Sequence, residues 1–182
     1  VAEMLRVLEM AQLAQGVATM LDEAADRARA RMYPGSGEEL ARRLGRTFPF
    51  LVGAPGVGLA AARWWQAEMA ANARVIAHAE STTEYSDALL AGFGQSGDVT
   101  RQVATLVLLR CASDPPESAA VFAAIEAWLA EAVADIVSVE GEGPRPLAQL
   151  VDLAVLGDLA SVALAAIEGI DPGPAPVIDR QE

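Results

Sequence analysis

Residues 98–111 have the sequence DVTRQVATLVLLRC, and this stretch decides the predicted fold. Asp98 is a residue type that caps the amino end of a helix. The apolar residues that follow it are Val103, Leu106, Val107, Leu108 and Leu109. On a helix these side chains would point in nearly every direction, and a helix that is apolar all round is buried among other elements. The stretch therefore predicts a helix at the centre of a bundle.

The segments on both sides of this stretch also have helical patterns. In residues 2–32, apolar residues recur at three- and four-residue steps, which is typical of an amphipathic helix. Capping residues, prolines and glycines delimit further predicted helices, at 36–45, 57–80, 81–92, 115–140 and 146–168. Residues 46–56 are expected to form a loop or a short extended piece, and only 48–52 within them have a strand-like pattern.

These elements predict an all-α protein. Residues 1–170 are expected to form a single domain, a bundle of about seven helices joined by short loops. Residues 171–182 are expected to form a proline-rich C-terminal tail, because proline cannot continue a helix. No stretch reaches the roughly 20 consecutive apolar residues of a membrane span. A first residue of Val rather than Met indicates a processed, trimmed or incomplete chain.

The side-chain inventory argues against several classes of function. The 182 residues include no lysine, one histidine and one cysteine, and all thirteen basic residues are arginine. We therefore expect no metal and no cofactor, since metal sites and phosphate loops draw on these residue types. The formal net charge of −12 opposes binding to nucleic acids and to anionic membranes. A lone cysteine cannot form an internal disulfide, which predicts a cytoplasmic protein.

Residues 51–60 resemble the phosphate-binding loop of nucleotide hydrolases in part. An apolar run leads into a glycine loop and then a helix, and Gly53 and Gly58 have the required spacing. The motif continues with Lys and then Ser or Thr, which hold the phosphates and the magnesium ion. Leu59 and Ala60 stand at those positions. We interpret the segment as a Gly-Pro loop that leads into a helix.

The sequence His78-Ala79-Glu80 matches the His-x-Glu of zinc-dependent nucleobase deaminases. Those enzymes also need a Pro-Cys-x-x-Cys element to complete the metal site. Cys111 has no second cysteine, so a zinc site is rejected. The sequence favours His78 as a residue at the carboxyl end of a helix, and Cys111 as a small buried residue.

Large apolar side chains are few in this alanine-rich chain, and they predict either an apolar ligand pocket between helices or ordinary core filling. The candidate pocket residues are Phe48, Phe50, Trp64, Trp65, Met69, Ile76, Phe93, Phe122 and Trp128. Trp64 and Trp65 are about 100° apart on a helix, so one of them is expected to face the core.

Charge is distributed unevenly along the chain. Six of the thirteen arginines lie within residues 27–46, and residues 115–182 contain twelve acidic residues and two arginines. These patches could pair within the fold or between subunits, or form a solvated face. The arginines could instead bind an anionic ligand or an acidic segment of a partner. The candidates for this contact are Arg27, Arg31, Arg42, Arg43 and Arg46.

Three functions remain open. An all-α bundle with space between aromatic-bearing helices is similar in general character to the ligand-binding and dimerising domains of TetR-like transcription regulators. This resemblance implies a homodimer and an apolar small-molecule ligand. The alternative is a helical adaptor, a chaperone-like protein or an assembly protein that acts through protein contacts. An enzyme that uses only carboxylates and arginines is least favoured, because no paired site is visible.

Overall fold

The computed structural model describes residues 3, 4, 7, 16–84, 90–93 and 97–173. The helices with defined bounds are α1 (Val17–Arg31), α2 (Glu38–Leu44), α3 (Val57–Ala73), α4 (Gly97–Val103), α5 (Ser118–Leu129) and α6 (Pro146–Glu168). The strands are β1 (Phe48–Gly53), β2 (His78–Ser81), β3 (Ala104–Cys111) and β4 (Asp135–Gly141). Residues 3, 4, 7 and 90–93 are also helical.

The four strands form one parallel sheet in the order β2-β1-β3-β4. On one face, α2, α3 and α6 cover a cluster that includes Leu51 and Val107 of the sheet. On the other face, α5 covers a second cluster that includes Val52 and Leu108. Neighbouring residues of a strand thus contribute to different cores, since strand side chains alternate between faces. The arrangement is a three-layer α/β domain.

The prediction of an all-α bundle is therefore wrong, and residues 98–111 show why. The helix that Asp98 begins ends at Val103, and the apolar run from Ala104 to Cys111 is the central strand β3. Seven of its eight residues are buried, because helices cover both faces of the sheet. A continuous apolar run of this length fits a buried strand and a buried helix equally well.

The other two missed strands also lie within predicted helices. The predicted helix 115–140 ends at Leu129, and β4 follows, with Val137 and Val139 buried and Ser138 and Glu140 exposed. This alternation has the two-residue period of a half-buried strand. The predicted helix 57–80 ends at Ala73, and its last residues form β2.

Several predicted elements are confirmed. The helices expected at 36–45 and 146–168 and the extended segment at 48–52 correspond to α2, α6 and β1. Helix α1 occupies the second half of the predicted helix 2–32. Of the predicted helix 81–92, residues 85–89 lie outside the described residues, as do residues 174–182 of the predicted tail.

Helix α6 is long and apolar enough to cross a membrane by length and composition, with a mean hydropathy of 2.0. In this fold it packs against α1, α2 and α3, and ten of its residues are buried. It also carries a fully buried carboxylate, Asp152, which contacts two arginines of α1. The described residues thus form an α/β domain of the soluble type in which α6 is a core helix.

Candidate functional site

The carboxyl ends of the four parallel strands lie at one edge of the sheet. Helix α3, which follows β1, covers one face of the sheet, whereas α5, which follows the neighbouring strand β3, covers the other. Loops that leave neighbouring parallel strands toward opposite faces open a crevice between them, and ligands of open α/β sheets bind there. The crevice between the β1 and β3 loops is therefore the candidate site.

The loop between β1 and α3 is built on glycines. A Cβ atom on Gly53 would lie 2.1 Å from the carbonyl carbon of Gly58, and one on Gly58 would lie 2.9 Å from the Leu109 oxygen. The first turn of α3 thus packs directly on the ends of β1 and β3. Gly56 precedes α3 with a φ of +103°, and a Cβ there would meet nothing within 4 Å. The amino end of α3 therefore borders open space at the edge of the sheet.

The last residue of β2 and the first two residues after it carry three hydroxyl groups. The amide of Thr82 donates a hydrogen bond of 3.0 Å to the Gly53 carbonyl, which joins the two loops. Ser81 is buried and Thr83 is exposed, and their hydroxyl oxygens lie 2.9 Å apart. The amide of Thr83 also donates to the Ser81 hydroxyl. These contacts hold the Thr83 hydroxyl at the end of β2, in a loop that is bonded to the end of β1.

Two carboxyl groups at the end of β2 share a hydrogen bond. This bond lowers the pKa of Glu80 and raises the pKa of Glu84, because a protonated Glu84 donates to the Glu80 carboxylate. His78 Nε2 lies 3.2 Å from Glu80 Oε2, and the charge of Arg63 acts on Glu84 in the opposite direction. Paired carboxyl groups with diverging pKa values are suited to moving a proton.

The β3 loop is held by Asp114. Its carboxylate accepts hydrogen bonds of 2.9 Å from the amide and from the thiol of Cys111. Burial, together with the hydrogen bond to Asp114, raises the pKa of the Cys111 thiol to about 11. The thiol thus stays protonated near neutral pH, and Cys111 is a structural residue of this loop rather than a nucleophile.

The β4 loop is held by a buried carboxylate. Asp152 accepts hydrogen bonds from Arg27 and Arg31 of α1 and, at 2.9 Å, from the amide of Glu142. Burial raises the pKa of Asp152, but the hydrogen bonds from Arg31, the Glu142 amide and Arg27 outweigh burial and hold it below its usual value. Asp152 thus joins α1, α6 and the β4 loop.

Comparison with known proteins agrees with the α/β fold. The family described as "Bacterial phospho-glucose isomerase C-terminal SIS domain" matches residues 35–181. The chain belongs to this family. No match was found among curated proteins.

Two solved structures share the fold of this SIS domain. A glucose-6-phosphate isomerase like protein from Thermus thermophilus has a TM-score of 0.67 and 21% identity, covering 91% of this chain and 58% of its own. Glucosamine-6-phosphate deaminase from Thermotoga maritima has a TM-score of 0.55 and 12% identity, covering 93% and 50%. At these identities the likeness shows the fold alone. The chain thus spans 58% of the first protein and half of the second.

The family corrects the predicted function. The interpretation of the chain as a ligand domain similar to that of TetR-like regulators is wrong, because it depended on an all-α bundle. The alternative of a helical adaptor, chaperone-like or assembly protein has no support either. Both interpretations followed from assigning β3 to a helix.

The SIS domain distributes the nine candidate pocket residues over two cores and the surface. Trp65 and Met69 are residues of α3 in the core on one face of the sheet, whereas Phe50, Phe93 and Phe122 lie on the opposite face. The exposed members are Phe48, Trp64, Ile76 and Trp128. Trp65 is fully buried and Trp64 is half exposed, as their helical spacing predicts. The sheet separates the two cores, so these side chains do not surround one common space.

The five candidate arginines bind carboxylates of the same chain. The contacts are Arg27 and Arg31 with Asp152, Arg42 with Glu38, Arg43 with Asp135, and Arg46 with Glu168. Four of the five thus pair with carboxylates in the acidic last third of the chain. Of the alternatives that the charge distribution left open, these contacts correspond to pairing within the fold.

Sequence reasoning missed the polar residues of the crevice. Ser81 and Glu84 fit a helix-capping box, and this pattern concealed the end of β2. Because the sequence predicted that Cys111 ends a helix, no pattern indicated that Ser113 follows a strand and borders the site. The glycine loop at 53–58 was recognised, but the absence of lysine argued against an anion site. Among the described residues, no cluster of His, Cys, Asp and Glu is arranged to hold a metal ion.

Proposed function

We propose that this SIS domain binds a phosphorylated sugar in the crevice between the β1 and β3 loops, with the phosphate at the amino end of α3. The observation that carries the proposal is the turn at Gly56, which borders open space at the amino end of a helix with no acidic residue in its first turn. Amides at a helix amino end donate to phosphate oxygens, and the helix dipole favours negative charge there. This mode of binding needs no lysine.

Neighbouring side chains support the same ligand. The exposed Thr83 hydroxyl, held by Ser81, can donate to a phosphate oxygen. Arg63 on α3 supplies a positive charge near the β2 loop, where its field acts on Glu84. This local charge matters because the chain as a whole carries −12 and would otherwise repel a phosphate dianion.

Calorimetric titration with glucose 6-phosphate tests the proposal. We expect wild-type protein to bind glucose 6-phosphate and inorganic phosphate, and not glucose. Thr83→Val should weaken the binding of both phosphate ligands about tenfold, since a hydrogen bond to a charged group contributes about 1.5–3 kcal/mol. The control is Thr47→Val, which removes a hydroxyl at the opposite edge of the sheet, bonded to Thr105, and should not change affinity. Equal affinity for glucose and glucose 6-phosphate would refute the proposal.

The carboxyl pair favours a second, more specific function, isomerisation of the sugar phosphate. Conversion of an aldose to a ketose moves a proton between neighbouring carbons, and Glu80 and Glu84 can accept and return it. The full-length protein is expected to exchange the C2 hydrogen of glucose 6-phosphate with solvent deuterium. Glu84→Gln should slow this exchange about 100-fold. Glu117→Gln, which alters an exposed glutamate before α5, is the matched control, and an equal rate in Glu84→Gln would contradict the assignment.

We also propose that the protein acts in the cytoplasm as a homo-oligomer. The single, buried free cysteine supports a reducing compartment. Native mass spectrometry of the purified protein measures the oligomeric state directly, and a monomer at micromolar concentration would contradict this part of the proposal.

A further inference from the structure

Gln149, near the start of α6, joins the β3 loop to the β4 loop. Its side chain is 3% exposed. Oε1 accepts two hydrogen bonds from Ser113, one of 2.6 Å from the hydroxyl and one of 3.2 Å from the amide. Nε2 donates a bond of 2.9 Å to the Gly143 carbonyl. The buried amide thus fixes Ser113, an exposed residue two positions after the end of β3, relative to the next loop.

The orientation of the Gln149 amide follows from its main-chain partners. A main-chain N–H can only donate and a main-chain carbonyl can only accept. The atom facing the Ser113 amide must therefore be the oxygen, and the atom facing the Gly143 carbonyl must be the nitrogen. Because Gln149 Oε1 has no hydrogen, the hydroxyl hydrogen of Ser113 must point toward it.

The proton of the neighbouring Cys111 thiol is also held in a hydrogen bond. Cys111 Sγ lies 3.2 Å from Ser113 Oγ, but it donates to Asp114 Oδ1 at 2.9 Å. The raised pKa of the thiol keeps this proton in place near neutral pH. Ser113 Oγ therefore has only lone pairs to offer to a ligand. The dianionic phosphate group of a sugar phosphate has only acceptor oxygens and cannot pair with it, whereas a sugar hydroxyl can donate to it.

The sheet order places the β3 loop beside the proposed phosphate site. Gly53 of β1 pairs with Leu109 of β3, and neighbouring strands are about 4.8 Å apart. The loops that follow these two strands therefore bound the same crevice, and Ser113 is an exposed residue of the β3 loop.

We propose that Ser113 accepts a hydrogen bond from a hydroxyl group of the bound sugar, and that Gln149 is the positioning residue that makes Ser113 an acceptor. This inference rests on the proposed function and deepens it, because it divides the crevice into two parts. The loops after β1 and β2 bind the phosphate, and the β3 loop selects a polyhydroxy carbon chain over phosphate alone.

Binding to glucose 6-phosphate and to inorganic phosphate, measured on the same variants, tests the inference. Ser113→Ala and Gln149→Met should each raise the dissociation constant for glucose 6-phosphate about tenfold. The dissociation constant for inorganic phosphate should stay within about twofold of the wild-type value. The double variant should be no weaker than either single one, since coupled residues are not additive. Gln149→Glu keeps the acceptor for Ser113 and should retain most of the affinity for glucose 6-phosphate.

Ser161→Ala is the control for a structural effect, because it removes another buried hydroxyl of α6, bonded to Asn72. It should change neither affinity. Equal losses for both ligands in Gln149→Met, or additive losses in the double variant, would overturn the inference while leaving the proposed function intact. If wild-type protein binds neither ligand, the proposed function fails and this inference fails with it.

Discussion

Asp152→Ala is expected to lower the free energy of unfolding by about 3 kcal/mol, because removing one partner of a buried ion pair leaves the others uncompensated. Asp152 is fully buried, and Arg27 and Arg31 retain only 23% and 15% side-chain exposure. The variant also removes the acceptor for the Glu142 amide. Urea unfolding followed by circular dichroism measures the loss, and proteolysis should cleave α1 first.

The same variant should change the acid stability of the protein. The folded pKa of Asp152 lies below its unfolded value, so its contribution is complete above about pH 4 and is lost as pH falls through the folded pKa. The difference in unfolding free energy between wild type and Asp152→Ala should therefore be constant from pH 5 to 8 and shrink below about pH 4.

Asp26→Ala is the matched control. Its partner is Arg29, also on α1, and both side chains are about three-quarters exposed. Exposed ion pairs contribute little, so this variant should lose less than about 0.5 kcal/mol. A similar loss in both variants would show that the burial of Asp152 has no special effect.

Gly53→Ala is expected to have the second large effect, on stability and on binding together. The added Cβ would lie 2.1 Å from the Gly58 carbonyl carbon and 2.4 Å from the Leu59 nitrogen. These are backbone atoms, so the turn itself must move, and forced overpacking costs about 1–3 kcal/mol. Glucose 6-phosphate binding should be lost, because the displaced atoms belong to the proposed phosphate site.

Thermal unfolding and calorimetric titration of the same samples measure both effects. Gly92→Ala makes the same chemical change in a helical residue whose added Cβ would meet nothing within 4 Å. It should not lower stability, since alanine is the better helix former. Wild-type binding and stability in Gly53→Ala would contradict both the tight packing of this turn and its place in the site.

The elements that the sequence predicted correctly are those with local signals. The helix α6 begins at Pro146, a proline suited to the first turn, and α3 follows the Gly-Pro loop at 53–56. Residues 48–52 were expected to be extended and form β1. In each case the signal lies within a few residues of the element that it defines.

In the candidate site too, only the features with local sequence signals could be predicted. Its glycine loop was visible, because glycine spacing is a local pattern. The hydroxyls of Ser81, Thr83 and Ser113 were not, because they converge only when the ends of β1, β2 and β3 lie side by side. The Gln149 contact with Ser113 spans 36 positions along the chain, and no periodicity indicates such a pair.

The sequence by itself determined where α2, α3 and α6 begin, where the glycine turn lies and that an arginine-rich segment and an acidic segment carry opposite charge. Only the tertiary structure decided that residues 104–111 are a strand and that Asp152 is the carboxylate that Arg27 and Arg31 bind. The physical reason is the distance to the partner. A helix forms its hydrogen bonds four residues away in its own segment, whereas β3 forms them with β1 and β4, distant segments that fix its conformation only after the chain has folded.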